Sequence, residues 1–360
     1  MSVFETGKMQ YRRYGNSGLK ISVVSLGNMI NSKPENYEED KAIIAHAFKN
    51  GVNYIDTAEI YDEGKAEIQL GKILKDLKVD REDIVIATKI RTGVNPGLNS
   101  TLSTNRKHIR ESIDQSLARL QLDYVDILFA HFHDDNTPIE EICRGFHEVI
   151  EEGKVFYWAT SNWDAEHVYN ALAVCEKYNL HKPIGTQSQY NMLTRKQHEV
   201  EYKSLYQNYN YGLVAWSPLA GGFLTGKYLD GIKAEMKTRL TEEGKYPLEM
   251  VKAMFYNPFA NEKNIKNLTA IQKIAEEELK CKLVHVAIAW AIHYQHLDSA
   301  LIGARNVQQL QDCLEALDVL EKFTPELLAR INKILDNTPE PPIDFKNWRP
   351  YPPIRPVAKE

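Results

Sequence analysis

Short apolar runs recur along the chain, and most of them are separated by longer stretches with helical periodicity. The apolar runs that predict strands are VVSLG (23–27), VNYID (52–56), DIVIATK (83–89), YVDILFAH (124–131), VFYWATS (155–161), IGTQSQY (184–190), GLVAWS (212–217) and SALIG (299–303). Helical periodicity covers residues 38–50, 64–77, 105–120, 138–152, 164–179, 198–209, 262–280, 284–294, 306–317 and 324–336. The third of these stretches is the clearest, because Ile109, Ile113 and Leu117 lie on one stripe.

This alternation predicts α/β architecture with a parallel sheet. A closed (β/α)8 barrel and an open doubly wound sheet would both satisfy it. Two observations favour the barrel: there are eight strand-like runs, and no G-x-G-x-x-G follows the first of them, as a dinucleotide-binding open sheet would usually show. We therefore predict a (β/α)8 TIM barrel.

Four features lie outside the repeating pattern. MQYRRYGNSGLKIS turns at Asn16-Ser17-Gly18 and predicts an N-terminal β-hairpin. Residues 219–261 are too long for an ordinary βα loop and predict a functional loop or lid after strand 7, and the helical pattern at 324–336 predicts an extra C-terminal helix. We assign residues 1–337 to the barrel and 338–360 to an extended tail, because that tail holds seven of the fifteen prolines.

Composition excludes several classes of function. The net charge of -5 and the absence of a basic run interleaved with aromatics argue against nucleic-acid binding. The four cysteines are scattered without zinc-site spacing or the density of a disulfide scaffold, which favours a reducing compartment. Neither a signal peptide nor a long apolar segment is apparent, so we expect a cytoplasmic protein without membrane insertion.

Polar or aromatic side chains stand at the carboxyl ends of the predicted strands. They are Asp56, Lys89, His131, Ser161, Asn162, Gln187, Trp216 and Ser217. In a barrel these strand ends converge on one rim, where barrel active sites lie. Any one Asp or Ser could simply cap a helix, and Lys89 alone could be a surface lysine, but so many polar strand ends together favour a site.

Four of the residues near this rim could carry proton transfer. Tyrosine is a weak acid near neutrality, and a neighbouring lysine ammonium would lower the pKa of its hydroxyl. Asp56, Tyr61 and Lys89 can therefore form a general acid unit, with the carboxylate holding the ammonium. His131 would be free to hydrogen-bond a substrate carbonyl oxygen where negative charge develops.

AHFHDD offers a metal site as an alternative, since His131, His133, Asp134 and Asp135 are all metal-ligand types. Alternation along a strand would place both histidines on the same side. No further ligand motif such as H-E-x-x-H is present, so we predict no metal and interpret 134–136 as the turn and cap before the next helix.

Phosphate-binding features follow the last two barrel strands, in SPLAGGFLTGK and GARNVQQLQD. Glycines there permit close approach of the backbone, and Lys227, Arg239 and Arg305 can supply positive charge. A phosphorylated substrate would fit as well as a nucleotide, which leaves open a phosphate-binding barrel enzyme such as an isomerase. Trp216 could stack on a flat heteroaromatic ring or simply fill the rim.

Several segments resemble the aldo-keto reductase superfamily. They are YIDTAEIYDEGKAEIQLGKIL, IATKI, HIRESIDQSLARLQLDYVDILFAH, GKVFYWATSNW, QSQYNML and WSPLAGGFLTGKY. The resemblance covers roughly residues 9 to 320 and is greatest to the branch that contains the beta subunits of voltage-gated potassium channels. It implies a (β/α)8 barrel that binds NADPH in extended form without a Rossmann domain and reduces aldehydes or ketones to alcohols.

The resemblance also implies roles for individual residues. Asp56, Tyr61, Lys89 and His131 match the catalytic tetrad, in which Tyr61 donates the proton. Matches to cofactor-binding positions are Ser161, Asn162 and Gln187 for the nicotinamide carboxamide, Trp216 for the ring, Ser217, Leu219, Gly221, Lys227 and Arg239 for the pyrophosphate and closing loop, and Gly303, Arg305, Gln309 and Asp312 for the adenosine end. We count Asn28 with them, and Arg305 beside a 2′-phosphate would favour NADPH over NADH.

The chain departs from the branch at three places. Channel beta subunits carry Asn where this chain has His131, and the histidine favours catalysis. Gly27-Asn28-Met29 replaces the GTW of that branch and alters the substrate-side wall, while Asp312-Cys313 replaces Glu-Asn and predicts weaker adenine contacts. The proline-rich tail lies outside the resemblance.

Two functions follow as hypotheses. The first is NADPH-dependent reduction of a small carbonyl substrate, with Tyr61 as the proton donor. The alternative is an NADPH-binding accessory subunit of a voltage-gated potassium channel or another assembly, with little turnover. The branch also suggests a homo-tetramer.

Overall fold

A two-stranded hairpin precedes the barrel in the computed structural model, which describes residues 4–29, 34–232, 236 and 247–341. Strands β1 (Tyr11–Arg13) and β2 (Lys20–Ser22) pair antiparallel, which confirms the predicted hairpin. The turn between them places the fully buried Tyr14 ring against Gly185 and Gly212, the first residues of two barrel strands. The hairpin therefore closes the amino-terminal end of the barrel.

Eight parallel strands form the closed barrel, in sequence order around the ring. They are β3 (Val24–Gly27), β4 (Tyr54–Asp56), β5 (Val85–Ile90), β6 (Val125–Ala130), β7 (Val155–Ser161), β8 (Gly185–Gln189), β9 (Gly212–Trp216) and β10 (Ser299–Ile302). Strand β10 pairs with both β9 and β3 and so completes the ring. The predicted fold class is confirmed.

The helices surround this barrel. They are α1 (Tyr37–Lys49), α2 (Lys65–Leu77), α3 (Arg106–Leu120), α4 (Ile139–Glu151), α5 (Ala165–Tyr178), α6 (Lys203–Tyr209), α7 (Leu248–Phe255), α8 (Glu262–Lys273), α9 (Leu283–His293), α10 (Val307–Leu314) and α11 (Pro325–Leu335). Asn105, Asp164 and Asn306 cap α3, α5 and α10 by accepting a backbone N–H of the first turn. The apolar faces of the helices pack on the outside of the barrel strands.

Two predicted helices are irregular. In 198–209 a π-helical turn, Gln197–Glu201, precedes α6, and in 262–280 another, Ile274–Leu279, follows α8. The long segment 219–261 carries a 3-10 turn (Ala220–Thr225) and α7, a helix that the pattern did not predict. The division at residue 337 stays a prediction, because residues 342–360 of the tail lie outside the described residues.

Side-chain alternation along the strands fills the barrel lumen with a core of its own. Its members are Tyr14, Ile21, Tyr54, Val85, Ala87, Ile127, Phe129, Ala159, Val214 and Leu301. Because successive residues of a strand face opposite sides, the residue two positions further along each strand faces the lumen again, one layer nearer to the carboxyl-terminal rim. This periodicity brings the candidate site together.

Candidate active site

The layer above the lumen core is polar. Two residues beyond Tyr54, Ala87, Phe129, Ala159 and Val214 stand, in that order, Asp56, Lys89, His131, Ser161 and Trp216. Neighbouring strands are offset, since Asp56 is paired with Ala87 and Lys89 with Phe129, so Lys89 lies two residues further towards the rim along β5 than the partner of Asp56. The fold thus brings together residues that lie far apart in the sequence, as predicted.

Lys89 is the centre of the hydrogen-bond network at this rim. Its ammonium forms an ion pair with Asp56, donates to the Thr57 carbonyl oxygen at 2.8 Å and lies 3.1 Å from the Tyr61 hydroxyl oxygen. The Lys89 side chain is 1% exposed and that of Asp56 is equally so. Gln187 donates its amide to the other Asp56 oxygen at 2.8 Å, which fixes the carboxylate. Each of the three N–H groups of the ammonium therefore has an oxygen acceptor.

Lys89 and Asp56 each stabilise the charged form of the other. Burial lowers the pKa of Lys89, but Asp56 and Tyr61 together raise it further, so the net shift is upward and the amine stays an ammonium. Burial raises the pKa of Asp56, and Lys89 and Gln187 oppose part of that rise. A charge in so enclosed a place would be costly without its partner.

Tyr61 behaves differently from the prediction. Burial raises the pKa of its hydroxyl, and the Lys89 ammonium lowers it without offsetting the whole rise, so the net direction is upward. The predicted lowering by Lys89 is present as one contribution and is wrong as the net outcome, because burial penalises the tyrosinate. Tyr61 is consequently protonated at neutral pH, which is the state a proton donor requires.

His131 lies across from Tyr61, with the ring centroids 6.1 Å apart and the planes nearly perpendicular. Burial lowers the pKa of His131 well below its usual range, and the cations Lys89 and Arg91 add to that shift. The imidazole is therefore neutral near pH 7 and can donate one N–H. Its ring also stacks on Phe132, at 4.9 Å between centroids.

A second network joins the ends of β7, β8 and β9. The Trp216 indole donates to the Asn162 side-chain oxygen at 2.8 Å, and the Asn162 amide donates to the Ser161 hydroxyl at 3.0 Å. The Asn162 backbone N–H bonds the Gln187 carbonyl oxygen at 3.1 Å, with Asn162 in the left-handed conformation. The structure brings these four predicted residues together beside the Asp56–Lys89 pair.

The glycine turn after β9 is closed by hydrogen bonds between its own residues. Ser217 accepts a hydrogen bond on its hydroxyl from the Gly221 N–H at 2.9 Å, and Gly222 N–H bonds the Leu219 carbonyl oxygen at 2.9 Å. Gly221 has a φ of 66°, and a Cβ there would lie 2.8 Å from Phe255 of α7. Only glycine fits that conformation and that space.

Positive charge lies beside this turn. A Cβ at Gly222 would stand 3.2 Å from the Lys227 ammonium nitrogen, so that cation directly adjoins the glycine backbone. Arg239, the other predicted cation of this loop, lies outside the described residues. The Lys227 ammonium thus lies beside the two glycines of the turn.

The residues predicted for the adenosine end follow β10. Gly303 is exposed, and Arg305 and Gln309 meet at the start of α10, where the Arg305 N–H bonds the Gln309 side-chain oxygen at 2.9 Å. Asp312, which lies in α10, accepts hydrogen bonds from the Lys282 ammonium at 2.9 Å and from the Gln308 side-chain amide at 2.8 Å. Its carboxylate is thus already engaged by neighbours on the protein.

Asn28 follows β3 and lies beside the end of β4, the strand that carries Asp56. Its backbone N–H bonds the Asp56 carbonyl oxygen at 3.1 Å, and its side-chain amide donates to the Ala66 carbonyl oxygen at 3.1 Å. These bonds hold the end of β3 against β4 and the start of α2.

Arg91 and Phe132 are rim residues that the sequence did not single out. The Arg91 guanidinium lies 5.1 Å from the centre of the Phe132 ring, and Phe132 is 40% exposed at the rim. A signal for Arg91 existed, since it stands two residues after Lys89 and continues the same face of the strand. Phe132 carried no such signal, because it faces away from the lumen in the alternation.

Of the predicted turn and cap at 134–136, the turn is confirmed and the cap is wrong, because α4 begins after Pro138. The alternative grouping of His131 with His133 is not what the structure shows. Asp134 accepts from the Asn136 N–H at 3.0 Å and the Thr104 N–H at 2.8 Å, while helix α4 begins later without a side-chain cap. His133 instead groups with Asp135 and His167. Within residues 4–29, 34–232, 236 and 247–341, no helix is both long enough and apolar enough to cross a lipid bilayer.

Comparison with known proteins gives one family. A family model described as "Aldo/keto reductase family" matches residues 24–336. A "Putative voltage-gated potassium channel subunit beta" of Schizosaccharomyces pombe is 38% identical over 348 residues, covering 93% of this chain and 96% of the relative. A "Probable voltage-gated potassium channel subunit beta" of Arabidopsis thaliana is 37% identical, covering 94% and 100%. One of Oryza sativa subsp. japonica is 35% identical, covering 92% and 98%.

Proposed function

Since the chain belongs to the aldo/keto reductase family, we propose that it reduces aldehydes or ketones to alcohols with NADPH. Members of that family are typically NAD(P)-dependent oxidoreductases. The observation that carries the proposal is the contact of one buried ammonium, that of Lys89, with both Asp56 and Tyr61 at the rim. A protonated tyrosine in such contact is equipped to act as a general acid.

The donor set at the rim fits a dinucleotide. Ser161 and Asn162 offer hydroxyl and amide groups suited to a carboxamide, and the Trp216 ring, held by Asn162, offers a flat apolar face. The glycine turn with Lys227 suits a pyrophosphate, and Arg305 suits the 2′-phosphate that distinguishes NADPH from NADH. When bound, the reduced nicotinamide supplies a hydride to the carbonyl carbon.

The residues of the chain handle the proton. Tyr61 donates its hydroxyl proton to the carbonyl oxygen as negative charge develops there, and the adjacent Lys89 ammonium stabilises the tyrosinate that results. Asp56 keeps the ammonium charged and in place. The neutral His131 donates an N–H to the same carbonyl oxygen and so orients the substrate. Desolvation by the enclosed rim strengthens each of these interactions.

Cofactor titration followed by turnover tests the proposal. We expect NADPH to bind, as seen in cofactor fluorescence, and a panel of small aldehydes to cause its oxidation. Tyr61→Phe removes the hydroxyl alone and should lower kcat by at least about 100-fold, the usual share of a general acid, with NADPH affinity retained. Tyr169→Phe on the outer helix α5 is the matched control and should leave kcat unchanged. Unchanged turnover in Tyr61→Phe would refute the role.

A second candidate function is that of an accessory subunit. The favouring observation is that three relatives covering almost the whole chain are named as voltage-gated potassium channel beta subunits. We infer that such a protein would bind NADPH, form a homo-tetramer and dock on a channel or another assembly from the cytoplasm. Tight NADPH binding without turnover of any aldehyde in the panel would favour this function over the reductase.

A further inference from the structure

Two histidines and a carboxylate meet at the rim, outside the proton-transfer group. His133 and Asp135 follow β6, and His167 lies in the first turn of α5. We predicted no metal from the sequence because AHFHDD had no further ligand motif, but the fold brings His167 beside His133 and Asp135. We propose that these three side chains bind a divalent transition-metal ion of the Zn²⁺ class. Two imidazoles and one carboxylate with an open fourth position form a common zinc ligand set. The site is independent of the proposed reductase activity.

The distances suit such an ion. His133 Nδ1 lies 2.8 Å and His167 Nε2 lies 3.8 Å from the same Asp135 oxygen, and all three ligand atoms lie within 4.8 Å of one another. In a tetrahedral zinc site, bonds of about 2.0–2.1 Å place ligand atoms roughly 3.3 Å apart. Small rotations of the side chains would therefore complete the coordination without backbone movement.

A further carboxylate orients one of the ligands. The Asp164 side-chain oxygen lies 2.8 Å from His167 Nδ1, and a carboxylate at that distance favours a proton on Nδ1 and so leaves the lone pair on Nε2. That Nε2 atom faces Asp135. Metal-binding histidines usually have their second nitrogen held by a carboxylate in this way, which fixes both tautomer and ring orientation.

The histidines are also fixed by packing. Their rings stack with centroids 3.5 Å apart, and the His133 ring meets the buried Trp163 edge-on at 4.8 Å. The side chains of His133 and His167 are 17% and 32% exposed, so an ion can reach them from solvent. An ion held here would join the loop that carries His131 to the start of α5.

The chain contains an internal comparison. His147, Glu151 and His181 form a second group of the same residue types, with His181 Nε2 2.7 Å from Glu151. It lies at the opposite end of the barrel, because His147 is near the end of α4 and His181 precedes β8. The carboxylates of both groups are largely exposed, Glu151 at 63% and Asp135 at 82%, but His181 is 46% exposed against 17% for His133 and 32% for His167. The imidazoles of the rim group are therefore the more firmly held.

The test measures Zn²⁺ binding to the full chain after treatment with a chelator, by competition with a chromophoric chelator. Co²⁺ then replaces Zn²⁺, since its visible absorption reports tetrahedral coordination. We expect His133→Asn/His167→Asn to weaken the tightest Zn²⁺ site by at least 100-fold. The matched control, His147→Asn/His181→Asn, should change it less than threefold. Loss of the tight site in the control, or its survival in the rim variant, would overturn the proposal.

A second variant separates binding from folding. Asp164→Asn retains a good helix N-cap at α5, where Asp164 accepts the His167 N–H at 2.9 Å, but it loses the carboxylate charge. We expect Zn²⁺ affinity to fall about 10–100-fold, the usual cost of removing such a partner, with an unchanged Tm. Unchanged Zn²⁺ affinity would show that Asp164 does not orient a metal ligand.

Discussion

Replacing Lys89 by methionine tests how much the buried ion pair between Lys89 and Asp56 contributes to stability. The substitution keeps a long side chain but removes the ammonium, so Asp56 loses its ion pair and keeps only the hydrogen bond from Gln187. Tyr61 loses its ammonium neighbour and the Thr57 carbonyl oxygen loses a donor. The result is a carboxylate that is 1% exposed and has no counter-charge.

The free-energy cost has a ceiling that depends on pH. An unpaired buried carboxylate protonates rather than staying charged, and protonation costs about 1.4 kcal/mol for each unit by which the pH exceeds the ordinary aspartate pKa near 3.9. The penalty at Asp56 is therefore at most about 4 kcal/mol at pH 7 and roughly 1.5 kcal/mol at pH 5. Loss of the Thr57 and Tyr61 bonds adds a smaller amount that does not vary with pH.

The direction in which stability changes with pH follows from the pKa of Asp56 in the folded and unfolded states. In Lys89→Met the folded protein holds Asp56 with a pKa raised above that of the unfolded chain. Stability from this group is then fully present below the unfolded pKa and is lost as the pH rises through the folded pKa. The destabilisation relative to the wild type should accordingly grow from pH 5 to pH 7.

The free energy of unfolding of Lys89→Met and of the wild type is measured by urea denaturation at pH 5, 6 and 7, with tryptophan fluorescence as the signal. The control is the double variant Asp56→Asn/Lys89→Met, in which no charge is buried and the new amide oxygen can still accept from Gln187. It should be more stable than Lys89→Met at pH 7 and show no added pH dependence. A Lys89→Met penalty that is equal at pH 5 and pH 7, or that adds to that of Asp56→Asn in the double variant, would refute the reasoning.

Two further predictions concern stability away from the rim. Burial raises the pKa of Asp298 to about 7, so stability from this group is lost as the pH rises from 4 to 7. Asp298→Asn, which can still accept from Leu213 and Gly15, should therefore gain on the wild type by up to about 4 kcal/mol between pH 4 and pH 8; a constant difference in thermal unfolding would contradict this. Gly71→Ala should lower Tm despite the better helix propensity of alanine, because a Cβ there would lie 2.2 Å from the Leu120 carbonyl oxygen; a rise in Tm would show that α2 and α3 can separate at little cost.

Most of the fold could be predicted because its signal is local. Strands such as β5 and β6 are mostly apolar runs, and helices such as α3 repeat apolar residues at helical spacing, so eight alternating units indicate a barrel. Helix α7 was not predicted, because it has only 8 residues, so the helical spacing of Leu248, Val251 and Phe255 covers about two turns and is too short to stand out within the long loop.

Much of the candidate site could also be predicted, because the barrel follows from the local pattern and the barrel fixes where its strands end. Residues that end parallel strands of a barrel must meet at one rim, so Asp56, Lys89 and His131 could be grouped from their positions alone. Arg239 and the tail from 342 to 360 lie outside the described residues, so their predicted roles stay predictions.

The sequence by itself determined the order of strands, the layer of polar residues above the lumen core and the kinds of groups at the rim. The tertiary structure decided their chemistry. It sets the net rise in the pKa of Tyr61, where burial outweighs Lys89, and it brings His167 of α5 to His133 and Asp135. The reason is physical: periodicity is a property of neighbours along the chain, whereas desolvation and ligand geometry depend on every atom packed around a group in space.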